Sequence, residues 1–150
     1  MITIRRAVSA DLDALVRLLG VLFSIEADFR PDPGRQRRGL AQLLEDPARR
    51  LVLVAEWTGE VVGMVTVQLV VSTAEGGASA WLEDLVVEER CRGAGVGGRL
   101  LEAAEDWATA CGATRVQLLA DRENAGALRF YAHRGWSHTR MVCLRRTTPR

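Results

Sequence analysis

The chain contains no lysine, and all twenty of its basic residues are arginine. That removes a Schiff-base lysine and a phosphate-loop lysine from the possible chemistry. Arginine at every basic position also fits GC-rich codon usage. Histidine occurs only at His133 and His138, and cysteine only at Cys91, Cys111 and Cys143. Three cysteines without metal-ligand spacing argue against a disulfide framework and against a metal site, and for a reducing compartment. Neither charge dominates: twenty basic against nineteen acidic residues leave a net charge of +1. No bulk field therefore draws the chain to nucleic acid or to an anionic membrane, and any anion must be bound locally. No apolar run reaches 18 residues and no secretory h-region is present, so the expected location is cytoplasmic. One domain is the expectation for 150 residues at 48% hydrophobic and 26% charged.

What the chain does have is organised around residues 81–98, WLEDLVVEERCRGAGVGG. Leu82, Leu85, Val86 and Val87 form a short, apolar, partly β-branched run, and residues 98–112 carry a helical pattern, so 88–97 joins a strand to a helix. Gly93, Gly95 and Gly97 let main chain approach a ligand with no Cβ in the way, and the first turn of the helix offers unpaired N–H groups. With Arg90 and Arg92 beside them, these residues suit a pyrophosphate. Other readings use the same residues. Gly93, Gly95 and Gly98 satisfy G-x-G-x-x-G, with Asp121 where a ribose-binding acid would stand. Against a dinucleotide fold, five residues, 88–92, separate that first glycine from the strand, and only 52 residues follow Gly98. A flexible surface turn is the plainest alternative. Cys91, between two arginines, is the cysteine best placed for a nucleophile, but neither histidine has a triad-like setting.

Along the rest of the chain, Ile2 and Ile4 alternate with polar residues and predict a strand. Ser9 is placed to cap a helix that has Asp11 and Asp13 in its first turn and Leu12, Leu15, Val16, Leu19, Leu22 and Phe23 on its core face. Residues 26–34, EADFRPDPG, break that pattern, and 36–44 predict a second short helix. Glu26, Asp28 and Asp32 read first as solvated loop charges, and 35–38 as a solvated helix face. Residues 51–57 and 61–71, joined by Thr58-Gly59-Glu60, predict an antiparallel hairpin whose near-continuous valine says both sheet faces are covered. A third strand follows at 80–87. Val96, Leu100, Ala104, Trp107 and Cys111 share one stripe of a helix ended by Gly112. Residues 114–120 predict a strand parallel to the third, reached by a right-handed crossover. Asn124 opens a last helix bearing Leu128, Phe130 and Tyr131, then 136–146 predict a closing strand and 147–150 a loose tail. Cys111 and Cys143 are expected in the core.

The run Arg90-x-x-Gly93-x-Gly95, written out as RCRGAGVG, resembles the acetyl-CoA loop of the GNAT superfamily of N-acetyltransferases, and LEDLVV resembles that family's cofactor-splaying strand. Downstream, Asn124 with RFYAHRGW is similar to the family's second signature, an Asn followed by FYxxxGF. The resemblance covers nearly the whole chain, least distinctively at 11–50. It implies a single α/β domain with a mixed, splayed β-sheet flanked by helices, transferring acetyl from acetyl-CoA to a primary amine by direct attack.

The resemblance further implies that acetyl-CoA meets the main chain of Leu85, Val86 and Val87, the loop residues Arg90, Arg92, Gly93, Ala94, Gly95, Val96, Gly97 and Gly98, and Asn124. A role for Asn124 as N-cap and nothing more is an equal alternative. Tyr131 matches the tyrosine near the cofactor sulfur and would donate a proton to the leaving thiolate; without the motif it reads as core. The base would be a carboxylate at the splay, acting directly or through water. Glu83 and Asp84 are adjacent, so strand alternation sends them to opposite faces. Glu83, which shares parity with Trp81 and Leu85, is favoured over Asp84, with His133 and His138 in reserve. Residues 26–34 often wall the acceptor site in the family, which would turn Glu26, Asp28 and Asp32 toward a cationic amine. The acceptor, small molecule or peptide, is not specified. The alternative of another class is a non-catalytic acyl-CoA-binding module. Exposed edge strands predict a homodimer.

Overall fold

A computed structural model describes residues 1–26 and 28–149, in two units, 1–119 and 120–150. The first unit runs β1 (Ile2–Arg6), α1 (Leu12–Ile25), α2 (Pro33–Leu44), β2 (Arg50–Trp57), β3 (Glu60–Ser72), β4 (Gly77–Val87), α3 (Val96–Ala110) and β5 (Val116–Gln117). The five strands form one sheet in chain order. Pairings β1–β2, β2–β3 and β3–β4 are antiparallel, and β4–β5 is parallel. A lone parallel pair at one end of an antiparallel sheet is the mixed α/β arrangement the sequence predicts. It is incompatible with the doubly wound sheet that a dinucleotide fingerprint requires.

The valine-rich strands bury side chains of both parities, and helices meet both faces. Val52, Val54, Met64 and Val86 pack with Leu15, Leu18, Leu19 and Leu40 of α1 and α2. Leu100, Leu101, Ala104 and Ala108 recur at three- and four-residue spacing on α3 and are buried. Each fully buried leucine contributes about 2 kcal/mol by removal from water. Gly63 sets the clearance, because a Cβ there would meet Leu100 Cδ1 at 3.0 Å and the Val86 carbonyl oxygen at 3.3 Å. The β2–β3 turn places Thr58 at φ 52° and Gly59 at φ 83°, left-handed positions suited to a tight hairpin.

Several expectations are corrected. Ser9 does not cap α1; it lies in a 3₁₀ turn, Ser9–Asp11, where Asp11 Oδ2 accepts from the Val8 N–H at 2.8 Å and from the Arg5 guanidinium at 2.8 Å. That guanidinium holds the Asp11 carboxyl below its ordinary range. Helix α2 begins at Pro33 rather than Gln36, because Asp32 accepts from the Arg35 N–H and proline suits the first helical position. Within the predicted solvated face, Gln36 is buried and its Nε2 donates to the Val16 carbonyl at 2.9 Å.

The strand expected over 114–120 shortens to Val116 and Gln117, opposite Ala80 and Trp81, with the Thr114 N–H donating to the Ala78 carbonyl at 3.3 Å and the Arg115 carbonyl accepting from the Ala80 N–H at 2.8 Å just before it. Alternation can report an extended chain but not whether it has a ladder partner. For the same reason the closing strand expected over 136–146 is absent: residues 136–149 hold no helix or strand. Met141, Val142, Cys143 and Leu144 are exposed, so Cys143 is not a core residue; Cys111 is half-buried. In the second unit, α4 (Ala125–His133) is capped by Asn124 Oδ1, which accepts from the Ala127 N–H at 3.1 Å. The tail residue Arg150, like Ala27 in the α1–α2 loop, lies outside the described residues. Among those described, no helix is long and apolar enough to cross a membrane.

Candidate active site

Beyond Trp81, no residue of β5 pairs with β4, which continues to Val87. The Glu88 N–H donates to the Val62 carbonyl of β3 at 2.8 Å, so by strand alternation the peptide group of Val87 faces away from β3, on the unpaired side, while Leu85 lies in the irregular stretch between the Met64 and Thr66 pairings. That is the edge at which an extended amide-bearing chain can add as a strand. The peptide group of Val86, one residue before Val87, faces β3 opposite Met64, and its side chain packs into the core. The chain then passes through a 3₁₀ turn, Glu89–Cys91, to Gly93 and Gly95, at φ 80° and 82°.

Gly95 is the N-cap of α3. It has no side chain to satisfy the first-turn amides, and no acidic residue stands in that turn. A Cβ built on Gly93 or Gly95 meets nothing within 4 Å, so the space before these residues is open. Arg92, Gly93, Ala94 and Gly95 are exposed, while Val96 is buried and anchors the helix start. The first backbone bond closing the helix is Arg99 N–H to the Gly95 carbonyl, which leaves the N–H groups of Val96, Gly97 and Gly98 ahead of it as donors. Uncapped amides, a helix dipole and glycine clearance fit a diphosphate.

The two loop arginines are less free than the sequence suggests. Arg90 Nε donates to Glu88 Oε2 at 2.8 Å and its Nη2 to Glu60 Oε2 at 2.6 Å, contacts that raise its pKa. Arg92 Nε donates to the Val87 carbonyl at 3.0 Å. Cys91, between them, is buried at 1% exposure, which ends its candidacy as a nucleophile.

The carboxylates at the end of β4 break the expected alternation. Thr66 pairs with Glu83 and Met64 with Val86, so a bulge occupies Asp84 and Leu85, and Asp84 takes φ 54°. Glu83 is exposed, whereas Asp84 turns inward: the Oγ1 of Thr66, a residue 2% exposed, lies 3.1 Å from Asp84 Oδ2 and 3.2 Å from the Glu83 carbonyl. Burial, then the charge of Glu83, pushes the Asp84 carboxyl up to about 6; Thr66 opposes and Glu26 adds to the rise. Thr66 escaped the sequence reading, although a lone hydroxyl within the apolar run MVTV marks a buried polar contact.

Of the loop acids, Asp32 is spent as the α2 cap and pairs with Arg35, while Glu26 is near enough to act on Asp84. A depression in the first unit is lined by Phe23, Asp28, Phe29, Arg30 and Arg35 among others. In the second unit, Tyr131 is half-buried in an aromatic cluster, edge-on to Phe130 with centroids 5.2 Å apart and 5.6 Å from Trp136. His133 and His138 are exposed. Among the described residues, no group of three or more His, Cys, Asp or Glu is placed to hold a metal ion.

This fold agrees with comparisons to known proteins. The acetyltransferase (GNAT) family profile matches residues 15–136. The aminoalkylphosphonate N-acetyltransferase of Salmonella typhimurium is 31% identical over 141 residues, covering 93% of this chain and 88% of that protein. A transcriptional regulator from Bacillus halodurans C-125 superposes with a TM-score of 0.85 at 26% identity, over 98% of this chain and all of that one. Glucosamine-6-phosphate N-acetyltransferase from Arabidopsis thaliana shares the fold, with a TM-score of 0.79 at 21% identity over 99% of each chain. The chain belongs to the GNAT family. It is an N-acetyltransferase, and members of its family use acetyl-CoA as co-substrate.

Proposed function

We propose that the protein transfers the acetyl group of acetyl-CoA to a primary amine by direct attack. Asp84 takes the proton the amine must lose, and Tyr131 supplies one to the departing thiolate. When bound, acetyl-CoA supplies the thioester and its thiol leaving group. The observation that carries the reading is the β4 edge left unpaired beyond Trp81, whose end at Val87 leads on to the uncapped glycine start of α3 at Gly95. The peptide groups of Leu85 and Val87 hold the extended arm, and the amides of Val96, Gly97 and Gly98 hold the diphosphate.

Asp84 suits the base role better than Glu83. An alkylammonium has a pKa near ~10, so it must give up a proton before its nitrogen can attack. A carboxyl raised to about 6 is ionised at pH 7, yet is more basic than an ordinary aspartate. The negative charges of Glu83 and Glu26 around it also favour a cationic acceptor.

For the acceptor, we infer a small amine. The Salmonella relative is an aminoalkylphosphonate N-acetyltransferase, and Arg30 in the α1–α2 depression supports including amines that carry an anionic group. The test is release of free thiol from acetyl-CoA across a panel of aminoalkylphosphonates, amino acids, polyamines, aminoglycosides and peptides. Thiol is expected only when an amine is added; none with any member would reject the acceptor class.

Tyr131→Phe should lower turnover about 10-fold at saturating acetyl-CoA, the low end of general-acid contributions, while cofactor binding survives. Unchanged turnover would remove Tyr131 from the reaction.

A further inference from the structure

Glu88 is the most enclosed member of a four-residue charge cluster outside the reacting groups, with a side chain 13% exposed. Its Oε1 accepts from Arg17 Nη1 of α1, and its Oε2 from Arg90 Nε. Arg90 reaches on to Glu60 at the start of β3, and Arg17 Nη2 donates to the Val61 carbonyl at 3.1 Å. The Glu88 carbonyl also accepts from the Cys91 N–H at 2.9 Å, at the point where Cys91 is buried. The cluster thus joins three segments distant in sequence at the entrance to the glycine loop.

We propose that Glu88 is a positioning residue for that loop: it locks Arg90 into a strut between α1 and the β2–β3 turn, so that Arg90 shapes the cradle rather than binding phosphate. This rests on the reading of residues 90–98 as the acetyl-CoA loop. Glycines at 93, 95, 97 and 98 give the loop little stiffness of its own, so its order must come from its ends. Helix α3 fixes one end, and the Glu88 cluster fixes the other. Two arginines balanced by two carboxylates leave no net charge for an incoming anion, and Nε and Nη2 of Arg90 are already engaged. Removing Glu88 sets Arg17 and Arg90 against each other as like charges and releases the loop entrance. The cost falls on cofactor binding, because order lost from the free loop must be restored on binding.

The two possible roles of Arg90 predict opposite signs. If Arg90 gripped phosphate, Glu88 would compete for it, and Glu88→Gln would tighten acetyl-CoA. The strut predicts that Glu88→Gln raises KM for acetyl-CoA about fivefold with kcat within about twofold, a step of the size charge networks supply. It also predicts that Arg90→Gln adds little once Glu88 is gone. Glu60→Gln, at the exposed end, should move KM the same way by less, and carries the test if Glu88→Gln fails to fold by circular dichroism. Tighter or unchanged acetyl-CoA binding in a folded variant, or an equal cost of Arg90→Gln in both backgrounds, overturns the strut alone. A wild-type protein that fails to bind acetyl-CoA overturns the loop reading and the strut with it.

Discussion

Asp84→Asn should lower kcat/KM by about 100-fold or more at pH 7 to 8 and, at the same pH, make the protein more stable. The first effect follows from losing a general base, which contributes about 10²- to 10⁴-fold. The second follows from the direction of the pKa shift. Asp84 is raised from its ordinary 3.8 to about 6 in the folded chain, chiefly by burial. The folded state therefore holds its proton more tightly than the unfolded state does. Below pH 4 both states are protonated and the aspartate costs nothing. Between pH 4 and 6 the unfolded chain ionises first and stability falls; above about 6 the full penalty stands. At about 1.4 kcal/mol per pH unit, that penalty is up to about 3 kcal/mol, and asparagine removes it. Denaturant melts of both proteins at pH 4 and pH 8 measure the difference. A variant less stable than wild type at pH 8 would contradict the burial of the charge, and an active one would eliminate Asp84 as the base. The wild-type kcat/KM profile should carry a rising limb near pH 6 that the variant lacks.

Gly95→Val should abolish acetyl-CoA binding while leaving the core intact. At φ 82°, Gly95 occupies a conformation that costs an L-residue about 1–2 kcal/mol, and a β-branched residue is a poor fit there. Its Cβ would enter the open space in front of α3, where nothing lies within 4 Å. Both effects fall on the cradle, since Leu100 and Leu101 lie a full turn further along the helix. Acetyl-CoA should raise the melting temperature of the wild type and leave that of the variant unmoved. Wild-type affinity in a calorimetric titration of Gly95→Val would refute the assignment of the loop.

Much of this was legible in residues 81–98, where a strand, spaced glycines and a helical stripe follow one another; α3 starts at Val96, two residues before the pattern over 98–112, because its first turn is made largely of glycine. What the sequence could not convey was pairing. Residues 114–120 alternate as a strand would, yet backbone partners on β4 reach only as far as Gln117, because ladder hydrogen bonds depend on what lies alongside. The choice of base was likewise beyond parity. A period of two holds only in an uninterrupted strand, and the bulge at Asp84 resets it, turning the aspartate toward Thr66 and leaving Glu83 in solvent. Arg90 and Arg92 read as free cations because their partners, Glu60, Glu88 and the Val87 carbonyl, become visible only after folding.

The hydrogen bond from Arg92 to the Val87 carbonyl has a meaning for the protein between catalytic cycles. A strand margin with bare acceptors invites the amides of any passing chain, including a second molecule's, to zip onto it. By occupying one of those acceptors with its own guanidinium, the chain closes a rung against misassociation. That guard is a flexible side chain, which a better-fitting guest can displace.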